Sequence, residues 1–300
     1  MKKRFIFLSV LFLTLACSKG SEDEGTGQRP ESDPTPTVEY QYIIKAVADI
    51  SGDGQIPFKW ASKDKVSIYS VSGTLLQNVT ISDGVGTDTG TFTFETSERI
   101  EDAVRLVYPY GKNGQGYLTS LQETDGNNPS DVHNHSFFYS QPLTLVEDQQ
   151  VKCTLDSPLA YIRVDLACSG SDDVSFVGFR FSSAGAVLAG DYFVNYSDGA
   201  ITAGEEVEDH VEVSFYNTAP VLSGETASFW AVALPSVQEK QYELVLTILS
   251  QEKTYEEVIT VHSALPAGAV TVIDVTGTSL ENAHDGNAGG FEDNVIEPLK

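Results

Sequence analysis

The sequence is short of positive charge. Eighteen Lys and Arg stand against 43 Asp and Glu in 300 residues, a formal net charge of −25. A surface of that sign does not displace phosphate counterions, which excludes nucleic-acid binding as a principal role. It equally excludes electrostatic docking on anionic lipid. Cysteine is scarce, with three residues, so the chain is no disulfide-stapled miniature. No apolar run reaches the roughly 18 residues of a membrane-spanning helix. No stretch carries a convincing 3.6-residue period, which removes amphipathic helices from expectation. Catalytic signatures are missing as well: there is no Gly-x-Ser-x-Gly, Walker loop, Gly-x-Gly-x-x-Gly before a helix, or His-Glu-x-x-His. With 41% hydrophobic and 20% charged residues, the chain still has the composition of a folded globular protein.

What is present begins at the N-terminus. Met1–Arg4 carries three basic side chains, and Phe5–Ala16 is an apolar run of 12 residues. That run is too short to cross a bilayer of about 30 Å and reads as the h-region of a signal peptide. It ends Leu13-Thr14-Leu15-Ala16-Cys17, which resembles a bacterial lipobox. Residues 1–16 are therefore expected to be removed and Cys17 to be lipidated as the mature N-terminus, with a plain secretory signal as the alternative. Ser18–Thr37 has no aliphatic or aromatic residue and contains Pro30, Pro34 and Pro36. It reads as a polar tether, stiffer toward its Pro-rich end. Glu22-Asp23-Glu24 resembles the acidic signals that send lipoproteins of some Gram-negative anaerobes to the outer face of the outer membrane.

Beyond the tether the pattern is β throughout. In Tyr161–Cys168, Ile162, Val164, Leu166 and Cys168 alternate with Arg163 and Asp165; in His210–Tyr216, Val211, Val213 and Phe215 share a face. Further strands are expected at 40–48, 66–71, 75–81, 89–95, 104–108, 151–155, 174–181, 187–194, 226–234, 242–249, 254–262 and 270–276. Turn pairs separate them, among them Asp83-Gly84, Asp198-Gly199 and Ser223-Gly224. Short strands at this spacing point to β-sandwiches of about 100 residues each, so two fit in the chain. The expected division is 38–148 and 149–277, with a boundary near Val146–Gln150 and a polar tail at 278–300. Gly111–His135 is polar and Gly/Asn-rich and reads as one long loop. No internal repeat is visible.

Candidate sites are few. Asp49–Gly54 begins like a calcium loop, but the twelfth position holds Trp60 where a bidentate Glu is required, so it reads as a turn. His133 and His135, two apart with Asp131 near, would share a face on a strand and could start a metal site; a polar loop that happens to carry His is the plainer reading. Cys153 and Cys168 both fall in phase with core positions and read as buried thiols, with a disulfide as the alternative. Tyr108, Tyr110, Tyr117, Phe137, Phe138 and Tyr139 cluster around the long loop. They could stack on sugar rings, or simply pack a core. Phe291–Leu299, with Phe291, Val295, Ile296 and Leu299 as its apolar positions, is either a strand awaiting an edge or a free end.

Several segments together resemble the fimbrillin family, the Mfa-like and major-fimbrillin-like subunits of type V pili. Phe58-Lys59-Trp60 followed by Lys63-Asp64 and the strand Val66–Tyr69 is similar to that family's Trp, Gly-Asp, strand pattern, with Lys63 in place of Gly. Gly90–Phe94 followed by Val104–Tyr110 resembles its strand pair ending in Tyr-Pro. Ser140-Gln141-Pro142, then Ser228–Pro235, Tyr242–Leu249, Thr254–Val261 and Leu265-Pro266-Ala267-Gly268 continue the likeness over about 240 residues. The resemblance implies two transthyretin-like β-sandwiches, a structural or adhesive role at the cell surface, no catalysis and no cofactor. It also implies maturation in which an Arg-specific protease removes the first strand and a C-terminal strand of another subunit fills the groove. Arg29 precedes Pro30 and lies before the first strand; between that strand and Trp60 stand Lys45 and Lys59, and the next Arg is Arg99. That departure suits a lipid-retaining anchor or accessory subunit. A surface glycan-binding lipoprotein of a nutrient-uptake system is the second reading, and a secreted hydrolase the third.

Overall fold

Alternation with turn residues between the runs produces the architecture that such a pattern demands. The computed structural model describes residues 39–50, 58–124, 129–167, 174–215, 221–222, 226–250, 253–275 and 294–295. Among them the regular structure is β, apart from one 3-10 turn at Pro129–His135. The fold is therefore all-β.

Among the described residues the buried apolar side chains form two clusters. The first lies inside a seven-stranded sheet of β1 (Tyr40–Asp49), β2 (Lys65–Ser70), β3 (Leu75–Thr80), β4 (Thr89–Thr96), β5 (Val104–Tyr108), β8 (Phe138–Ser140) and β9 (Gln150–Asp156). Its spatial order is β3-β2-β5-β8-β9-β1-β4. The two outer strands meet where Asp83 bridges Thr91, and Ser82 N–H donates to Thr91 O at 2.8 Å. The sheet thus curls onto itself, so that Ile44, Ile68, Phe92, Leu106 and Leu155 converge on one interior. Gly84 makes the turn into β4 at φ +90°, where its α-hydrogens face the Thr89 carbonyl; a side chain fits there neither sterically nor conformationally.

The second cluster lies between two sheets. One has three strands, β16 (Thr226–Ala233), β10 (Ala160–Ala167) and β19 (Val270–Asp274); the other runs β20-β18-β17-β11-β14-β7 with β15 also on β11. Here β7 is Leu121–Thr124, β11 Val174–Ser182, β14 His210–Phe215, β15 Val221–Leu222, β17 Ser236–Ser250, β18 Lys253–Leu265 and β20 Asn294–Val295. Phe176, Phe179, Phe181, Leu244, Leu246 and Ile259 from the larger sheet face Ile162, Val164, Phe229 and Ile273. A third small sheet, β13 (Ile201–Glu208), β12 (Ala189–Val194) and β6 (Gln115–Leu118), adds Tyr192, Val194 and Leu118 to this core.

A repeat invisible in the sequence emerges in the pairing. β1 is antiparallel to β4 and parallel to β9; β10 is antiparallel to β16 and parallel to β19. Each core is thus entered by a strand lying parallel to one that comes late in the same core. β9 belongs to the first sheet, although its residues lie beyond the expected boundary near Val146–Gln150.

Gly111–His135 is not a single loop. It holds β6, β7 and the 3-10 turn, and both strands pair with strands of the second cluster's sheets: β6 with β12 and β7 in parallel with β14. The strands are four residues long, too short to display a period. What fixes β7 is a side chain. Gln122 Nε2 donates to Val232 O at 2.6 Å and accepts from Val232 N–H at 2.8 Å through Oε1, so the amide caps the outer edge of β16 as another strand would.

Candidate functional site

β1 is an interior strand of the curled sheet, next to the outer strand β4. It pairs with β4 from Tyr40↔Thr96 to Val47↔Thr89 and with β9 from Ile43↔Gln150 to Asp49↔Asp156. Period two sends Tyr42, Ile44 and Ala46 into the core, all of them buried. The Tyr42 ring packs 5.4 Å from Phe94, and its hydroxyl accepts from Ile100 N–H at 2.9 Å. Taking β1 away would uncover two rows of backbone donors and acceptors and an apolar slot.

The wall of that slot is built on Trp60. Its indole meets Phe58, Phe92 and Tyr108 edge-on at 5.0, 5.1 and 5.3 Å, and its Nε1–H donates to Asp88 O at 3.2 Å. Gly90 of β4, opposite Ala46, admits the indole: a Cβ there would lie 2.9 Å from two ring atoms. Asp64 explains the acid in this motif. Its Oδ2 accepts from Ala61 N–H at 2.7 Å and closes the turn, while Oδ1 accepts from the Tyr108 hydroxyl at 3.2 Å. Burial, and then the Asp64 carboxylate, push the Tyr108 phenol far up, so it stays a proton donor.

His133 joins the same cluster. Its Nε2 lies 2.6 Å from the Tyr108 hydroxyl and 3.2 Å from Asp64 Oδ1, and its ring stacks on Phe58 at 4.6 Å and 13°. The turn that carries it is 3-10 and not a strand, which corrects the shared-face expectation. At three residues per turn, positions i and i+2 diverge. His135 instead lines a cavity with Tyr117 and Tyr192. Among the described residues no group of three metal-ligating side chains forms. His133 pins the turn to the first core, while Val132 beside it is buried in the second. Nothing in the spacing of residues 58, 64, 108 and 133 could have announced this meeting.

The aromatic group divides. Tyr108, Phe137, Phe138 and Tyr139 are buried; Tyr110 and Tyr117 remain 52% and 56% exposed. Cys153 is a free, half-buried thiol against the first core, and burial pushes it up to about 12. Cys168, Cys17, Asp49–Gly54 beyond Ile50, and Phe291, Ile296 and Leu299 lie outside the described residues. Of the tail, Asn294–Val295 pairs in parallel with Val261–His262 of β18. Lys45 lies inside β1 with ladder partners on both sides, whereas Lys59 and Arg99 are exposed.

No family model matches the sequence, and no curated protein does. Among solved structures, the chain is similar to a proposed cell adhesion protein from Bacteroides ovatus at 12% identity and TM-score 0.49, covering 80% of this chain and 94% of that one. It is similar to another from Bacteroides uniformis at 12% identity and TM-score 0.49, covering 80% and 95%. It is also similar to the tip fimbrial protein Mfa3 from Porphyromonas gingivalis at 11% identity and TM-score 0.40, covering 74% and 82%.

Proposed function

We propose that the protein is a fimbrillin-like lipoprotein of the cell surface, a structural or accessory subunit of an adhesive pilus, held to the outer membrane through Cys17. We read it as two tandem β-sandwich domains, each entered by a strand parallel to a late one. The observation that carries the functional reading is the placement of β1. An N-terminal strand flanked by β4 and β9 can leave without rerouting the rest of the chain, and the slot it vacates accepts any strand with small or apolar residues at alternate positions. Such an unfilled edge is an aggregation hazard unless another strand fills it. The tail around Val295 is the segment of this chain proposed to fill the slot in another subunit. The motif likeness that begins at Phe58-Lys59-Trp60 gains a physical meaning from this geometry, because Trp60 and Gly90 form the slot's wall.

Mass spectrometry of the protein recovered from cells tests this. A lipid-free chain beginning at Trp60, with β1 gone, is expected of a polymerising subunit. An acylated chain intact from Cys17 is expected of an anchor and refutes strand removal. An unacylated chain that still carries β1 refutes both.

A further inference from the structure

On the reading that β1 leaves its slot, what the slot accepts next is set by three buried positions of β1 itself. Tyr42, Ile44 and Ala46 are 1%, 0% and 0% exposed. The Tyr42 hydroxyl is the acceptor for Ile100 N–H at 2.9 Å, so a Phe in that place would leave a backbone donor without its partner. Ile44 belongs to the apolar interior of the first cluster. Ala46 lies opposite Gly90, and the Trp60 indole fills the room that Gly90 leaves, so the third position takes a small side chain. Both flanks of the slot are ladders: Ile44 pairs with Phe92 and Val151, and Ala46 with Gly90 and Cys153. A filling strand needs its N–H groups throughout, which excludes proline.

The tail of this chain does not meet those demands. Between residues 291 and 300 its one aromatic is Phe291, and with Phe291 in the place of Tyr42, Asp293 falls at Ile44. Asp293, Asn294, Glu297 and Pro298 are spaced so that any three successive alternate positions in this stretch include at least one of them, in either chain direction. Every register thus buries a carboxylate or an amide in an apolar interior, or sets a proline in a two-sided ladder. Asn294–Val295 itself pairs with β18 of the second core and not with the first sheet. A formal net charge of −25 on each copy opposes self-association as well. We propose that the slot rejects the tail of a second copy of this chain and is filled by a strand of a different subunit, one whose alternate residues are tyrosine, a branched aliphatic, and alanine or glycine. The protein then joins unlike partners and does not polymerise with itself.

The test uses the full chain with a recognition site for a sequence-specific protease inserted between Ile50 and Phe58, cut after folding so that β1 is held by its ladders and packing alone. Fluorescent peptides are exchanged into it below the urea midpoint and followed by anisotropy. A peptide of residues 39–50 is expected to enter, and its Tyr42→Phe variant to bind about 10-fold more weakly. A peptide of residues 288–300 is expected to bind at least about 100-fold more weakly than that of 39–50. The same tail peptide with Phe291→Tyr, Asp293→Ile and Val295→Ala is expected to come within about 10-fold of the 39–50 peptide. Failure of the 39–50 peptide itself to exchange means that β1 does not leave, which refutes the strand-exchange reading and the selectivity with it. Entry of both the 39–50 peptide and the unaltered tail overturns the selectivity alone. So does rejection of the altered tail, or equal binding of the Tyr42→Phe peptide.

Discussion

Gly90→Ala is the sharpest probe of the slot wall. The added methyl would sit 2.9 Å from Cε2 and Nε1 of Trp60 and 3.0 Å from Cδ2. Ordinary contact requires several tenths of an ångström more. Trp60 cannot yield freely: three aromatic rings hold it edge-on and Nε1–H is bonded to Asp88 O at 3.2 Å. Overpacking of this kind destabilises by about 1–3 kcal/mol. Replacing Gly in an extended strand returns about 0.4–1 kcal/mol by restricting the unfolded chain. The net expectation is a loss of about 1–2 kcal/mol, or roughly 2–8 °C in Tm for a protein of this size. Urea unfolding followed by far-UV circular dichroism reads it in every background, since Trp60→Phe removes one of the two Trp in the chain and with it the fluorescence of the first core. Trp60→Phe makes room beneath residue 90, so Gly90→Ala in that background should be neutral or stabilising. The double-mutant cycle should therefore give a coupling of about 1 kcal/mol or more. Equal effects of Gly90→Ala in both backgrounds would refute the steric reasoning.

Other outcomes follow from the same contacts. Gln122→Leu keeps the volume but strips Val232 of both backbone partners; a loss of about 2–4 kcal/mol is expected by thermal melting, and a change under 1 kcal/mol would show that β7 is held otherwise. Asp64→Ala opens the Ala61–Asp64 turn and leaves the Tyr108 hydroxyl without its carboxylate, for an expected loss of about 2–4 kcal/mol, with Asp64→Asn losing less because its carbonyl oxygen still accepts. Burial pushes Cys153 and Tyr161 up to about 12 from 9.0 and 10.0, so the unfolded chain loses these protons first. Stability should be complete below about pH 9 and fall progressively toward pH 12, read as a declining urea midpoint; a flat profile would contradict the burial of both groups. Cys153 should also resist alkylation in the native state near neutral pH and react on unfolding, because the thiolate is the nucleophile.

The sequence by itself determined the class of fold, because alternation is a local property. Val104–Tyr108 becomes a strand with those bounds, and the other strands read from period two all form with ends shifted by a few residues, β17 most. Strands that bury little escaped: Ile201–Glu208 is an edge strand with most side chains exposed, and Gln115–Leu118 and Leu121–Thr124 are too short for a period to register. The resemblance of Phe58–Tyr69 to a known motif was legible, but the reason for its Asp was not. Asp64, Tyr108 and His133 are separated by 44 and 25 residues, and only the curl of the first sheet brings them within 3.2 Å. The position of β1 between β9 and β4 is likewise a tertiary fact. A strand's own residues specify that one face is buried; which neighbours flank it depends on parallel pairing across more than 100 residues of chain, as Ile43↔Gln150 requires. The cavity at Tyr192 was hidden for the same reason. Tyr192 lies over Gly116 only because β6 crosses to the second core, a pairing set by backbone geometry and not by any pattern along the chain.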